Sequence, residues 1–82
     1  MPQVTILYFA SIGELLSRER ESRELPDRVT SDEILALLSA SHPSAATLLE
    51  TCRLAVDCEF VTGPLRLLGG EEIAVLPPVC GG

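Results

Sequence analysis

The strongest constraint on the fold lies near the start of the chain, in the apolar run of residues 4–10 (VTILYFA). The run is rich in β-branched and aromatic residues, which is typical of a β-strand. In a strand, Ile6 and Tyr8 face one way, and Leu7 and Phe9 face the other. Both faces are therefore apolar, and such a strand is normally covered on both sides. Because a chain of 82 residues forms one domain with a small core, a second apolar face indicates a docking surface.

One main helix is predicted by a capping box, Thr30-Ser31-Asp32-Glu33, in which a hydroxyl and a glutamate satisfy the first free amides of a helix. The residues that follow at helical spacing form one largely apolar stripe: Ile34, Leu35, Leu37, Leu38 and Ser41. His42-Pro43 ends this helix, and His42 is expected to interact with its C-terminal end. Shorter helical segments are expected around residues 12–17 and 45–51.

The remaining strand-like segments are short. Residues 21–25 are polar enough for an edge strand, and Pro26 ends them. Residues 54–56 and 59–62 are joined by a tight turn at Asp57-Cys58, and residues 73–76 form the last strand. The order is strand, strand, helix and then three strands, which indicates an α+β fold.

A single main helix can cover only one face of such a sheet. In the last strand, Ile73 and Val75 alternate with Ala74 and Leu76, so this strand is also apolar on both faces. We therefore predict that part of the second face contacts a partner protein. The predicted docking residues are Leu7, Phe9, Phe60 and Leu76.

Charge and cysteine content exclude several classes of function. Twelve acidic and six basic residues give a net charge of −6, which disfavours binding to nucleic acids and to anionic membranes. All six basic residues are arginines, so the chain has no lysine that could accept an isopeptide bond. Cys52, Cys58 and Cys80 lack the spacing of a metal site or a disulfide framework, and Cys52 and Cys58 are interpreted as small core or surface residues. No secretory signal or membrane-spanning run is evident, so we expect a cytoplasmic protein.

The last six residues are predicted to form a separate unit. Residues 1–76 would make the folded domain, and residues 77–82 an extended, flexible tail. The tail reads Pro77-Pro78-Val79-Cys80-Gly81-Gly82. The prolines favour an extended exit from the last strand, and the glycines have no side chain that would collide with a narrow channel in another protein. The tail therefore suits delivery of the Gly82 carboxylate to a partner's active site.

A carboxylate of this kind can be activated in only a few ways. Linking it to AMP creates a mixed anhydride with a good leaving group, and a sulfur donor can then convert it to a thiocarboxylate. The sequence contains no Ser–His–Asp or Cys–His constellation that would catalyse the adenylation, so the chain is not expected to be a catalyst by itself. Cys80 is interpreted as a small residue that tolerates an extended backbone, and its thiol is not expected to react.

Several motifs, spread over nearly the whole chain, resemble those of one family. They are LYFA near the start, Thr30-x-x-Glu33, His42-Pro43, Ala55-Val56-Asp57-x-Glu59, Gly70-Glu71-Glu72-Ile73-Ala74 and the ending PPVCGG. The chain thereby resembles the small, sulfur-carrier subunit of molybdopterin synthase, and the ending is the most specific part of the resemblance. The family often has Asn where Asp57 stands and Ser or Thr where Cys80 stands, and neither difference affects the terminal glycines.

The resemblance implies a β-grasp (ubiquitin-like) fold, a mixed sheet of about five strands with one main helix packed on one face. It implies three partners: an adenylyltransferase of the ubiquitin-activating type, a persulfide sulfur donor, and the large catalytic subunit of molybdopterin synthase, which forms a heterotetramer with the carrier. ATP would be used by the activating enzyme, and the chain itself would bind no cofactor and no metal. Gly82 and Gly81 would take part in the reaction, while Pro77, Pro78, Val79 and Cys80 would contact partners together with the docking residues.

The sequence leaves two classes of alternative open. A sister carrier for thiamine thiazole synthesis or tRNA thiolation would use the same chemistry at Gly82 with a different acceptor. A ubiquitin-like modifier would end in the same glycines, and a plain interaction domain would use only the sheet face.

Overall fold

The computed structural model describes residues 1–78. The strands in that range are β1 (Gln3–Tyr8), β2 (Arg20–Glu24), β3 (Arg28–Thr30), β4 (Arg53–Val56), β5 (Glu59–Val61), β6 (Pro64–Arg66) and β7 (Glu72–Leu76). The helices are α1 (Ala10–Leu16), α2 (Ser31–Ser41) and α3 (Ala46–Leu49), and a 3₁₀ turn at Pro43–Ala45 precedes α3. Within residues 1–78, none of the helices has the length and apolar content needed to traverse a bilayer.

Five strands form a mixed sheet in the order β2-β1-β7-β4-β5. β1 and β7 run parallel, and the other neighbouring pairs are antiparallel. β2 lies at an edge, as its polar sequence predicts, whereas β1 and β7 lie inside the sheet. The predicted α+β fold with a mixed five-stranded sheet is confirmed, and it is the β-grasp arrangement that the resemblance implies.

A second sheet, formed by β3 and β6, is not predicted from the sequence. Its two strands are antiparallel and place Val29 opposite Leu65. Each strand has only three residues, and Pro26 and Pro64 lie before or within them. Three residues are too few for the alternation that identifies a strand in a sequence, and proline is unusual inside a strand. The prediction of three strands after the main helix is wrong, because four follow it.

Helix α2 begins as the capping box predicts. The Thr30 hydroxyl accepts a hydrogen bond from the Glu33 amide at 3.1 Å, and the Glu33 carboxylate accepts one from the Thr30 amide at 2.8 Å. Ile34 and Leu38, four residues apart, are both buried. Leu37 is 40% exposed, so the buried stripe is narrower than the sequence predicts. The reason is that position 37 lies about 100° around the helix from Leu38 and about 60° from Ile34, on the side away from Leu38.

The core lies between one face of the five-stranded sheet and the helices. The sheet contributes Val4, Ile6, Tyr8, Leu54, Ile73 and Val75. The helices contribute Ile12, Ile34, Leu38 and Leu49. Alternate residues of the same strands point to the opposite face, which we call the outer face. The outer face is the side of the sheet on which the predicted docking residues are expected.

The β4–β5 connection is the predicted tight turn. Asp57 and Cys58 have φ angles of 47° and 72°, and Val56 pairs with Glu59 directly before and after them. Positive φ at both central residues matches the twist of a two-residue hairpin. The turn thereby sets the register of β5, which determines the face on which Phe60 lies.

Candidate functional site

A row of apolar residues crosses four strands on the outer face. Leu7 of β1 lies opposite Ala74 of β7. On the other side of β7, Ala55 of β4 lies opposite Ala74, and Phe60 of β5 lies opposite Ala55. Leu76 lies two residues beyond Ala74 and therefore on the same face. The two alanines form a low floor between the larger side chains.

All four residues predicted to dock lie on the outer face. Phe60 is 69% exposed and Phe9 is 45% exposed, whereas Leu7 and Leu76 are half-buried. Phe9 directly follows β1 in an extended conformation, so the alternation of the strand continues through it. The predicted docking residues did not include the two alanines of the floor, although strand alternation places Ala74 on the same face as Leu76 and would have placed Ala55 there as well. That these residues bind a partner stays a prediction.

The exit of the tail lies beside this apolar surface. β7 is in the interior of the sheet, between β1 and β4, and the chain leaves it at Leu76. A groove at this point is lined by Arg53, Phe60, Leu76, Pro77 and Pro78. The other predicted tail residues, Val79, Cys80, Gly81 and Gly82, lie outside the described residues. The predicted docking surface therefore adjoins the point from which the tail departs.

A second groove lies on the β1 side of the outer face, next to helix α1. It is lined by Leu7, Phe9, Gly13, Arg18, Glu19 and Arg20, among others. Gly13 is required for the close approach of α1 to β1, since a Cβ on Gly13 would lie 2.9 Å from the Tyr8 carbonyl oxygen. The apolar surface thus has a groove on each side of the strand that leads to the tail.

On the core side of the sheet, a cluster of polar side chains around Glu21 links the edge strand β2 to β1 and to the end of α2. The Glu21 carboxylate accepts a hydrogen bond from the Tyr8 hydroxyl, and His42 Nε2 lies 2.7 Å from the same oxygen. Arg18 and Arg23 approach the other oxygen at 3.4 and 3.8 Å. His42 follows the last residue of α2 and interacts with the C-terminal end of this helix, as predicted, because its backbone amide donates a hydrogen bond to the Leu38 carbonyl oxygen at 2.8 Å. The side chain binds a carboxylate 21 residues away, which no local pattern indicates.

The pKa values in this cluster follow from burial and hydrogen bonding. Burial acts to raise the pKa of the Glu21 carboxyl, but hydrogen bonds from Tyr8 and His42 and the nearby positive charges together hold it below its usual value. Burial and the bond to Glu21 raise the pKa of the Tyr8 hydroxyl. Glu21 is therefore ionised and Tyr8 protonated at neutral pH. Because Glu21 pairs with Ile6 on the core side of the sheet, we assign the cluster a structural role.

The two cysteines in the described part of the chain differ in environment. Cys52 is buried, and its thiol donates to the Leu48 carbonyl oxygen at 3.3 Å. Burial raises the pKa of the Cys52 thiol, which disfavours the thiolate that nucleophilic chemistry requires. Cys58 is exposed in the β4–β5 turn. The interpretation of these two cysteines as core and surface residues agrees with this placement.

Comparison with known proteins gives a consistent result over the whole chain. The sequence pattern of the ThiS family matches residues 6–82. The molybdopterin synthase sulfur carrier subunit of Chlamydomonas reinhardtii is 33% identical to this chain, covering 98% of this chain and 99% of the relative. The subunit of the same name from Homo sapiens is 32% identical, covering 98% and 94%.

Solved structures show the same similarity. A chain in the protein–protein complex of subunits 1 and 2 of the molybdopterin-converting factor from Helicobacter pylori has a TM-score of 0.72 and 25% identity, covering 98% of this chain and 99% of that chain. Small archaeal modifier protein 1 of Haloferax volcanii has a TM-score of 0.80 and 18% identity, covering 96% and 100%. At so low an identity, the second likeness shows the fold alone.

Proposed function

The chain belongs to the ThiS family, and we propose from this premise that it is the sulfur carrier subunit of a molybdopterin synthase. Its reacting group is the carboxylate of Gly82. Gly81 and Gly82 have no side chains, so this end can enter a channel too narrow for a Cβ. The acceptor of the sulfur is cyclic pyranopterin monophosphate, and the product is the dithiolene of molybdopterin.

The chemistry at Gly82 proceeds in three steps. A carboxylate oxygen attacks the α-phosphorus of ATP, pyrophosphate leaves, and the carboxylate becomes a mixed anhydride with AMP. A persulfide donor attacks the acyl carbon, displaces AMP and forms an acyl disulfide. A second thiol then attacks the donor sulfur of that S–S bond, which leaves a thiocarboxylate on Gly82 and a disulfide between the thiol and the donor. The thiocarboxylate sulfur is the nucleophile that the large subunit presents to the pterin substrate. The carrier supplies the sulfur and its position, and the partner proteins supply the catalytic groups.

The observation that carries this proposal is likeness along the whole chain. Relatives named molybdopterin synthase sulfur carrier subunit are 33% and 32% identical over nearly their full lengths. The part of this chain that matches the family, residues 6–82, includes the terminal glycines. A sister carrier has weaker support, because these relatives are named for molybdopterin synthase. A modifier has weaker support, because the likeness to the archaeal modifier extends to the fold alone.

The geometry of the sheet supports a docking role for the outer face. The exposed ring of Phe60 and the Leu76 side chain line the groove from which Pro77 and Pro78 emerge. A partner that covers this groove is held next to the start of the tail. Docking therefore orients the tail, and Pro77, Pro78, Val79 and Cys80 contact the same partner on the way to its active site.

The large subunit is the partner best supported. The Helicobacter pylori relative forms a complex of subunits 1 and 2, and we assign the outer face of this chain to the corresponding contact in a heterotetramer. The adenylyltransferase and the persulfide donor are further partners, and ATP is consumed by the former. The carrier itself holds no cofactor, and we place this chemistry in the cytoplasm.

Intact-mass measurement tests the proposal directly. The purified chain is incubated with its adenylyltransferase, ATP and a persulfide donor, and replacement of oxygen by sulfur at Gly82 adds about 16 Da. Adding the large subunit and cyclic pyranopterin monophosphate should return the mass to its original value and form molybdopterin. Each step is compared with a reaction that lacks ATP.

A variant with one alanine added after Gly82 is the matched control. The addition moves the carboxylate by up to ~3.6 Å and introduces a Cβ, and a displacement of about 1 Å can cost about 100-fold in a positioned reaction. Thiocarboxylate formation should collapse while thermal stability stays unchanged. A tail-extended variant that still acquires sulfur and makes molybdopterin, with the added alanine intact by mass, would refute the proposal.

A further inference from the structure

Two arginines lie at the tail end of the outer face, one on each side of the β1–β7 pair. Arg20 of β2 lies opposite Leu7, and Arg53 of β4 lies opposite Leu76. Both arginines are exposed, and neither forms an ion pair with another residue in the range 1–78. In contrast, the two arginines of the Glu21 cluster are already engaged by that carboxylate.

Each arginine borders one of the two grooves. Arg53 shares the groove at the tail exit with Phe60, Leu76, Pro77 and Pro78, and no acidic residue from the described chain lines that groove. Arg53 also borders a neighbouring groove, which includes Asp32. Arg20 shares its groove with Phe9, Glu14 and Glu19, so its charge is partly balanced. Both positions combine an aromatic ring with a guanidinium group, which are the side chains most enriched where protein interfaces derive their affinity.

The opposite end of the outer face is acidic. Glu72 at the start of β7 lies opposite Thr5, and the Asp57 carboxylate accepts a hydrogen bond from the Glu72 amide at 3.0 Å. Along the outer face, the charged strand residues therefore change from Glu72 to Arg20 and Arg53 toward the tail exit, in a chain whose net charge is −6. Two exposed arginines near the tail exit stand out in a chain with 12 acidic and six basic residues.

We propose that Arg20 and Arg53 are specificity-determining residues of the outer face, and that the large subunit presents a carboxylate to each of them beside the channel that receives the tail. The inference rests on the proposed function, which assigns a protein partner to this face. On a protein surface, the groups that match a guanidinium fork are the carboxylates of aspartate and glutamate. We expect Arg53 to contribute more than Arg20, because the groove at the tail exit contains no competing carboxylate.

The arrangement determines the orientation of docking as well as its strength. An apolar surface by itself allows several orientations, whereas opposite charges at its two ends favour one. If the partner were reversed, its carboxylates would face Glu72 and Asp57, and like charges would be brought together. Only the favoured orientation places the tail exit at the partner's channel.

Charge reversal with matched controls tests the proposal. Arg53→Glu and Arg20→Glu are compared with Arg28→Glu and Arg66→Glu, which make the same change of charge at exposed residues of the β3–β6 sheet. Affinity for the large subunit of the same organism is measured by titration calorimetry at about 0.05 M and about 0.5 M salt. Circular dichroism verifies that each variant is folded, and intact mass verifies that Gly82 still acquires sulfur.

Arg53→Glu should weaken binding by about tenfold or more at low salt, and Arg20→Glu by less. At high salt, the affinities of both variants should approach that of the unmodified chain, because salt screens the charges. The control variants should stay within about threefold of the unmodified chain. Exchanging the facing carboxylate of the large subunit for arginine should restore binding of Arg53→Glu. If the Arg20 and Arg53 variants bind like the controls at low salt, the inference is wrong while the proposed function stands. If the unmodified chain does not bind the large subunit, both are wrong.

Discussion

Replacing Phe60 by alanine should separate the contribution of this side chain to binding from its contribution to folding. The ring is 69% exposed in the isolated domain. An aromatic side chain presents about 200 Å² of surface, so roughly 140 Å² is still available to a partner. If a partner covers half to all of that area, burial contributes about 1.7 to 3.5 kcal/mol at ~25 cal/mol per Å².

The expected loss of affinity for the large subunit is therefore roughly 15- to 300-fold, because each 1.4 kcal/mol corresponds to about tenfold in Kd. The effect on folding should be smaller. About 60 Å² of the ring is already buried in the domain, which corresponds to at most about 1.5 kcal/mol of unfolding free energy. The domain should stay folded at room temperature with a modestly lower Tm.

Leu68→Ala is the matched control for this experiment. Leu68 is 81% exposed and lies in the β6–β7 connection, outside the outer face. Isothermal titration of both variants with the large subunit gives Kd, and the heat capacity change of binding should be less negative only for Phe60→Ala. Equal affinities for Phe60→Ala, Leu68→Ala and the unmodified chain would show that the partner does not cover Phe60.

Two further predictions concern the Glu21 cluster and the tail. Glu21→Gln removes a carboxylate whose side chain is 14% exposed, and it should lower the unfolding free energy by about 2 kcal/mol in urea denaturation, since hydrogen bonds to charged groups contribute about 1.5–3 kcal/mol. Folding lowers the pKa of this carboxyl from its ordinary 4.5. The stability that the Glu21 carboxylate contributes is therefore present above that pH and is lost as the pH falls through the pKa of the folded state. A difference in unfolding free energy between Glu21→Gln and the unmodified chain that persists undiminished in acid would contradict this assignment. Cys80→Ser should leave the rate of sulfur transfer to the pterin near normal, and a loss of transfer with Gly82 still thiocarboxylated would show that the thiol takes part.

Features that depend on neighbouring residues could be predicted from the sequence. The capping box at Thr30 and Glu33 forms because its two partners are three residues apart and meet whenever a helix begins there. The Asp57-Cys58 turn is likewise a property of two adjacent residues. Strand alternation assigned Leu7 to the outer face, since side chains of an extended chain alternate whatever lies beside them.

Features that join distant parts of the chain required the tertiary structure. The contact between His42 and Glu21 spans 21 residues, and β3 and β6 are too short to be recognised until they pair. The position of Arg53 opposite Leu76 depends on β4 lying next to β7, which the sequence order does not indicate.

The candidate site shows the same division. The proposal of Gly82 as the reacting residue, and of Leu7, Phe9, Phe60 and Leu76 as docking residues, could be made from the sequence, because it depends on residue type and local pattern. The order of strands decides that Leu7, Ala74, Ala55 and Phe60 form one row and that the row adjoins the tail exit. Strand order is determined by the burial of the whole apolar core, and the free energy of that burial depends on all the elements together. No short segment of the sequence is therefore sufficient to predict the strand order.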